Sequence, residues 1–326
     1  MKRRPFGKSG IEVSEIGFGG WAIGGSWGAQ AEGDSIAALQ RALDLGVNFI
    51  DTAAGYGNGR SERTIARVLD ERKARSNVIV ATKTPPTPGI WPPSPYCKTE
   101  ERYPETYLRA NVEERCTQLS TSQIDLLQLH TWTRAWNRDP KPFAVLRKLQ
   151  EEGKVRWIGV STPEHDQNCV IDLIRGGWVD SVQLIYNIFE QEPATKLLDV
   201  ARQHGVAVIV RVPFDEDALT GKFTESTSFA EGDFRRNYFA GDRLARTVRR
   251  VEAIHEDLRQ IDHTLPQVAL KFILAHPAVS SVIPGMRNAS QSALNCSVSE
   301  LRDLSPDLLK KLRRHNWRRA FWYSGK

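Results

Sequence analysis

Short apolar runs rich in β-branched residues alternate with helical periodicities along most of the chain, and this alternation limits the architectures open to it. The runs fall at residues 13–18, 47–50, 78–81, 124–129, 155–160, 179–185, 206–210 and 279–283. Between them, Ile36, Leu39 and Leu43 recur every three or four positions, as one buried helix face requires. Leu146 with Leu149, and Leu197, Leu198 with Ala201, repeat the pattern. Gly46 and Gly205 each follow a helical stretch and precede a strand, where a left-handed C-cap is expected. Strands alternating with helices predict a parallel sheet, and this number of them points to a closed (β/α)8 TIM barrel more than to an open sheet. Residues 6–13 read as two short strands around a turn, an N-terminal β-hairpin ahead of the barrel.

No linker, repeat or low-complexity tract divides the 326 residues, so residues 1–326 read as a single barrel domain. Pro and Gly cluster at residues 85–95, and a second irregular stretch spans 224–241. Both are expected to be long loops at the barrel mouth. No apolar run is long enough for a membrane helix, and the basic N-terminus lacks the apolar core of an export signal. Cys97, Cys116, Cys169 and Cys296 are scattered without a C-x-x-C pair, which argues against a zinc site or disulfide framework and fits a reducing cytoplasm. The net charge of +6 favours anionic partners, but the cations are interspersed with acids except at 310–319. That tail reads as a solvated final helix, and no nucleic-acid or membrane partner is expected. Nothing in the sequence specifies an oligomeric state.

The chemistry collects at the strand ends. The runs close, on their C-terminal sides, in Asp51-Thr52, Thr82-Lys83, His130, Ser161-Thr162, Gln183 with Tyr186-Asn187, Arg211 and Pro284-Gly285. In a (β/α)8 barrel these ends surround one mouth, so residues remote in sequence converge there. A lone buried Asp or His at a strand end is more often a satisfied structural group than a catalyst. A whole ring of such ends, with ionisable groups of both signs, is better explained as a site.

Asp51, Tyr56, Lys83 and His130 together form a consistent acid relay. Delivering hydride to a carbonyl requires a proton donor at the developing alkoxide, and a tyrosine of ordinary pKa is a weak acid at neutral pH. An ammonium about 4 Å away at an effective dielectric near 20 contributes roughly 4 kcal/mol, enough to bring a phenol down toward 7. Lys83 then needs a carboxylate partner to stay charged, which Asp51 supplies. His130 is suited to orienting the substrate oxygen.

At these residues the resemblance becomes specific. Asp51-Thr-Ala-Ala-Gly-Tyr56-Gly-Asn-Gly-Arg-Ser61-Glu62 resembles the aldo-keto reductase signature, and Lys83 after Val-Ile-Val-Ala-Thr and His130 after Asp125-Leu-Leu-Gln-Leu match the family's other catalytic positions. Gly153-Lys-Val-Arg-Trp-Ile-Gly-Val-Ser161, Gln183-Leu-Ile-Tyr-Asn187 and the segment from Ile283 through Gly285, Arg287 and Gln291 to Asn295 follow in the family's order. The motif pattern is similar to the inositol-dehydrogenase-like and potassium channel β-subunit-like branches.

The resemblance implies a barrel that binds NADPH or NADP⁺ in extended form and acts on a small carbonyl or alcohol, with Asp51, Tyr56, Lys83 and His130 as the catalytic residues. It assigns Gly20 and Trp21 to a cofactor contact, and Ser161, Thr162 and Gln183 to the nicotinamide end. Pro213, Phe214 and Lys222 match the loop over the pyrophosphate, and Gly285, Arg287, Gln291 and Asn295 the adenosine 2′-phosphate and adenine. A glycine before a short helix bares backbone N–H groups, and Arg287 offers a bidentate clamp, which agrees with a phosphate site. The expected activity is NADPH-dependent reduction of an aldehyde or ketone. A sugar or polyol dehydrogenase running oxidatively, or a weakly catalytic NADPH-binding regulatory barrel, fits the same residues. No metal is implied.

This chain departs from the pattern at three places. Thr162 stands where the family usually has Asn, and Arg211 where many relatives place an aromatic that stacks on the nicotinamide. Asp215, Glu216 and Asp217 make the pyrophosphate loop acidic. Arg211 is expected either to stack on the ring or to pair with one of those acids. Gly17-Phe-Gly19-Gly-Trp-Ala22 satisfies G-x-G-x-x-A, but no helix pattern follows it, so it is rejected as a dinucleotide fingerprint. Trp21, Trp27, Trp91, Trp132 and Trp136 fall in or beside mouth loops and are candidate pocket walls, with the 317–322 tail as a candidate cover.

Overall fold

The computed structural model describes residues 1–25 and 28–319. An antiparallel hairpin, β1 (Arg3–Pro5) and β2 (Glu12–Ser14), precedes a parallel eight-stranded sheet. Its strands are β3 (Phe18–Gly19), β4 (Phe49–Asp51), β5 (Ile79–Thr84), β6 (Ile124–Leu129), β7 (Val155–Ser161), β8 (Ser181–Ile185), β9 (Ala207–Arg211) and β10 (Val279–Val282), each beside its sequence neighbour. Parallel bridges Ile16↔Val282 and Gly19↔Gly285 join the first strand region to the last and close the barrel. Helices such as Glu32–Asp44, Arg60–Glu71 and Glu105–Gln118 fill the crossovers. No helix among the described residues is long and apolar enough to cross a membrane.

Strand alternation sorts the core into two layers. Phe49, Ala81, Leu126, Trp157, Ala207 and Ile209 form one cluster, inside the barrel. Their neighbours Ile50, Val80, Leu127, Ile158 and Val208 belong to the other, between strands and helices. Burial on both faces explains why these strands read as continuous apolar runs. Phe6 joins the inner cluster, 5.7 Å from Phe49 and 6.0 Å from Trp157 by ring centroids. The hairpin thus plugs one end, and polar chemistry is left to the other.

Four expectations change. The hairpin strands flank residues 6–11 instead of lying within them, because Gly7 and Gly10 take left-handed φ of 55° and 77° and make the turn. The 13–18 run is divided between β2 and β3. The 224–241 stretch contains a short helix, Phe234–Tyr238, whose N-cap Asp233 accepts from the Arg235 N–H at 2.9 Å. The basic tail begins as a helix, Pro306–Arg313, but is not wholly solvated: Trp317 is buried against Phe189 and Arg319 is buried beside Asp215. Trp27 and Trp322 lie outside the described residues.

Candidate active site

The C-terminal ends of the barrel strands open into a cavity of about 470 Å³. At its floor the Lys83 ammonium donates to Asp51 Oδ1 at 2.5 Å, to the Thr52 carbonyl at 2.8 Å and to the Tyr56 hydroxyl at 3.3 Å. Lys83 comes from β5 and is fully buried, reaching Asp51 at the end of the adjacent β4. Asp51 Oδ2 accepts from Gln183 Nε2 at 2.7 Å and from Gln128 Nε2 at 3.2 Å. The carboxylate is therefore fixed from three strands, a degree of preorganisation suited to an electrostatic role.

Tyr56 stands on the turn after β4. That turn is tied to the preceding one by Thr52 Oγ1, which donates to Ser61 Oγ, and by Ser61 Oγ, which donates to the Gly20 carbonyl. The approach demands glycine at 20, since a Cβ there would meet both the Asp51 carbonyl and Ser61 Oγ at 2.7 Å. The His130 ring lies edge-on to Tyr56, with centroids 6.0 Å apart.

The electrostatics differ from the expected lowering of the phenol. Burial pushes Tyr56 above its ordinary value of 10.0, and the opposing charge of Lys83 does not overcome it. Burial alone would lower Lys83, but Asp51 and Tyr56 outweigh it and the ammonium is held above its usual range. Burial, then the charges of Lys83 and Arg211, hold His130 well below 6.5, so its imidazole is neutral at physiological pH. The floor thus carries a protonated phenol, a neutral imidazole and a closed ion pair.

The loop after β9 is strained. Val212, Asp215, Glu216 and Asp217 all have positive φ, between 51° and 74°. Such a conformation costs energy for non-glycine residues, most of all a β-branched one, and persists where the surroundings over-determine it. The restraints are visible: Asn187 Nδ2 donates to the Val212 carbonyl at 2.9 Å, Arg319 pairs with Asp215, and Arg235 pairs with Asp217 at 2.5 Å. Glu216 faces the cavity, and burial together with Asp215 pushes it up to about 8. The loop consequently presents less negative charge than its sequence suggests.

Most of the residues singled out in the sequence meet at this cavity. Asp51, Tyr56 and His130 line it, as do Gly20, Trp21 and Gln183. Arg211, Pro213 and Phe214 line a second side, and Gly285, Arg287 and Gln291 a third. Others stand behind the wall. Ser161 and Thr162 are buried, the latter donating from its N–H to the Gln183 carbonyl. Asn295 Nδ2 donates to the Gly285 carbonyl at 3.4 Å, and Lys222 is exposed, its charge acting on Asp217.

Of the tryptophans, Trp21 and Trp91 line the cavity, Trp91 5.8 Å from the His130 ring. Trp132 and Trp136 do not; they pack 5.2 Å apart in the core, their indole N–H groups donating to Asn137 and the Cys97 carbonyl. Arg211 pairs with Glu164, at 2.9 Å, an acid outside the 215–217 stretch, and its charge also acts on Glu216. Sequence reasoning missed Glu164, Gln128 and the wall residue Phe234. Gln128 had a signal, a polar residue inside the apolar end of β6.

Three features of the wall suit an extended polar ligand. Gln183 Oε1 is buried without a hydrogen-bond partner among the described residues. A Cβ at Gly285 would meet only Ala22 Cβ, at 3.5 Å, so the protein itself does not require glycine there. Arg287 is steered by Gln30 Oε1 at 2.8 Å and the Ala29 carbonyl at 2.6 Å, with Nη1 left unbonded among the described residues.

Comparison with known proteins agrees with this arrangement. The aldo/keto reductase family model matches residues 15–316. Aldo-keto reductase YhdN of Bacillus subtilis (strain 168) is 32% identical over 298 residues, covering 89% of this chain and 86% of that protein. The NADH-specific methylglyoxal reductase of Escherichia coli (strain K12) is 29% identical over 326 residues, covering 92% and 95%. Among solved structures, glycerol dehydrogenase AKR11B4 from Gluconobacter oxydans matches with a TM-score of 0.78 at 25% identity, over 96% of this chain and 94% of that one.

Proposed function

The chain belongs to the aldo/keto reductase family, and from that premise we propose that it reduces an aldehyde or ketone to an alcohol, with NADPH as hydride donor and Tyr56 as general acid. The observation that carries the reading is the floor itself: a protonated Tyr56 hydroxyl in the cavity, hydrogen-bonded to Lys83, which is locked to Asp51.

A bound nicotinamide supplies the hydride in this chemistry; the protein's residues do the rest. The neutral His130 imidazole donates one N–H to the substrate oxygen and so orients the carbonyl toward Tyr56. As charge develops on that oxygen, Tyr56 gives up its proton, and the adjacent Lys83 ammonium stabilises the phenolate left behind. Asp51 keeps Lys83 charged inside the cavity. The same groups act in reverse on an alcohol, so the cofactor pool sets the direction in a cell.

The wall supports a nicotinamide dinucleotide as the extended ligand. The open Gln183 Oε1 suits a carboxamide N–H, Gly285 suits a close backbone approach, and Arg287 suits a 2′-phosphate, which favours NADPH over NADH. Trp21, Trp91 and Phe234 around the mouth favour a carbonyl substrate with an apolar or ring-bearing substituent. Steady NADPH oxidation against a panel of aldehydes and ketones tests the reading. Turnover with several of them is expected; no oxidation of NADPH or NADH by any would overturn it.

A further inference from the structure

Arg211 ends β9, beside Ile185 at the end of β8, and its guanidinium enters the cavity wall. Its Nη2 donates to Glu164 Oε1 at 2.9 Å and to the Thr162 carbonyl at 3.1 Å. The pair is sheltered, with side chains 19% and 16% exposed, and both residues line the cavity. Three neighbouring charges are committed elsewhere, Lys83 to Asp51, Asp217 to Arg235 and Asp215 to Arg319, and Glu216, on which Arg211 also acts, is pushed up to about 8 by burial and Asp215. The Arg211 charge reaches the reacting end, since it acts on both Tyr56 and His130. Glu164 is the acid that is hydrogen-bonded to it there.

This matters because the two forms of a nicotinamide differ in charge: the oxidised ring is a cation, and the reduced ring is neutral. An uncompensated guanidinium at the reacting end would repel only the oxidised form. We propose that Glu164 is a positioning residue that fixes and charge-balances Arg211, and so sets the relative affinity of the protein for oxidised and reduced cofactor. The inference rests on the reading that the nicotinamide lies at the Gln183 end of the cavity. Sequence motifs do not reveal it, because Glu164 sits on the loop after β7 and meets Arg211 only through the fold.

Glu164→Gln keeps a hydrogen-bond acceptor and removes the negative charge; Arg211→Gln keeps a donor and removes the positive one. Fluorescence titration gives dissociation constants for NADP⁺ and NADPH with wild type, both single variants and the double variant. The ratio of oxidised to reduced Kd is expected to rise roughly three- to tenfold in Glu164→Gln, the scale of a partly screened charge pair. It should fall by a similar factor in Arg211→Gln and return near wild type in the double variant. A merely structural role moves both forms alike, so an unchanged ratio, or a shift of the same sign in both single variants, overturns the proposal. Failure of the wild type to bind any nicotinamide cofactor would instead overturn the underlying reading, and the proposal with it. If NADH binds better, the NAD⁺/NADH pair carries the same test, since the ring is the same.

Discussion

Lys83 holds its ammonium 3.3 Å from the Tyr56 hydroxyl, and the phenol nonetheless sits above its ordinary range. Burial is the main cause, raising the phenol by more than the Lys83 charge lowers it, and Asp51, which takes the same ammonium at 2.5 Å, raises it further. A group that acts as an acid must be protonated, and a raised pKa keeps it so. The limb that Tyr56 sets in reductive kcat/KM should therefore appear only above pH 10.0. His130, neutral already at 6.5, adds no limb there. Removing the ammonium takes away the charge that lowers Tyr56, so Lys83→Met should cut turnover by about 10²-fold or more and move the alkaline limb higher. An alkaline limb above 10.0 that is unmoved by the substitution contradicts this coupling.

Arg287→Ala is expected to weaken NADPH by about one to two decades, the equivalent of ~1.5–3 kcal/mol for a charge-assisted contact, while barely changing NADH. Gln30 and the Ala29 carbonyl hold the guanidinium at the cavity wall, so little ordering remains for binding to bring about. Equal losses for both cofactors would show that Arg287 does not read the 2′-phosphate.

Arg319 should matter far more to stability than a tail residue ordinarily does. It is buried against Asp215, donates to the Tyr238 hydroxyl at 3.2 Å and lies over the Trp317 ring at 4.6 Å. Removing one partner of a buried pair strands the other, at a cost of about 3–5 kcal/mol. Urea unfolding of Arg319→Met should show a loss on that scale, together with weaker cofactor binding, because the strained loop at 212–217 loses a restraint. An unchanged unfolding midpoint would mean that the loop holds itself.

The barrel was legible because burial on both faces of each strand writes continuous apolar runs, and the crossover helices write their own period. The catalytic floor was legible for a related reason, since Asp51, Lys83 and His130 each end such a run. What escaped notice depends on contacts between distant segments. Nothing near Glu164 marks it as the partner of Arg211, and nothing near Arg319 marks it as buried. Trp132 and Trp136 follow β6 as a pocket wall would, yet they turn into the core, where Asn137 and the Cys97 carbonyl accept from their indoles. The helix Phe234–Tyr238 did have a local signal in its Asp233 cap, but five residues are too few to show a period. The sign of the Tyr56 shift depends on burial, a quantity that pairwise charge reasoning leaves out.

The central claim is that Tyr56 delivers the proton and is not needed to hold the cofactor. Single-turnover carbonyl reduction by Tyr56→Phe, with NADPH affinity measured on the same preparation, tests it most directly. The account predicts a loss of roughly 10²–10⁴-fold in the reduction rate, with the NADPH dissociation constant within about twofold of wild type. Retention of a large share of the wild-type rate, with cofactor still bound, would contradict it.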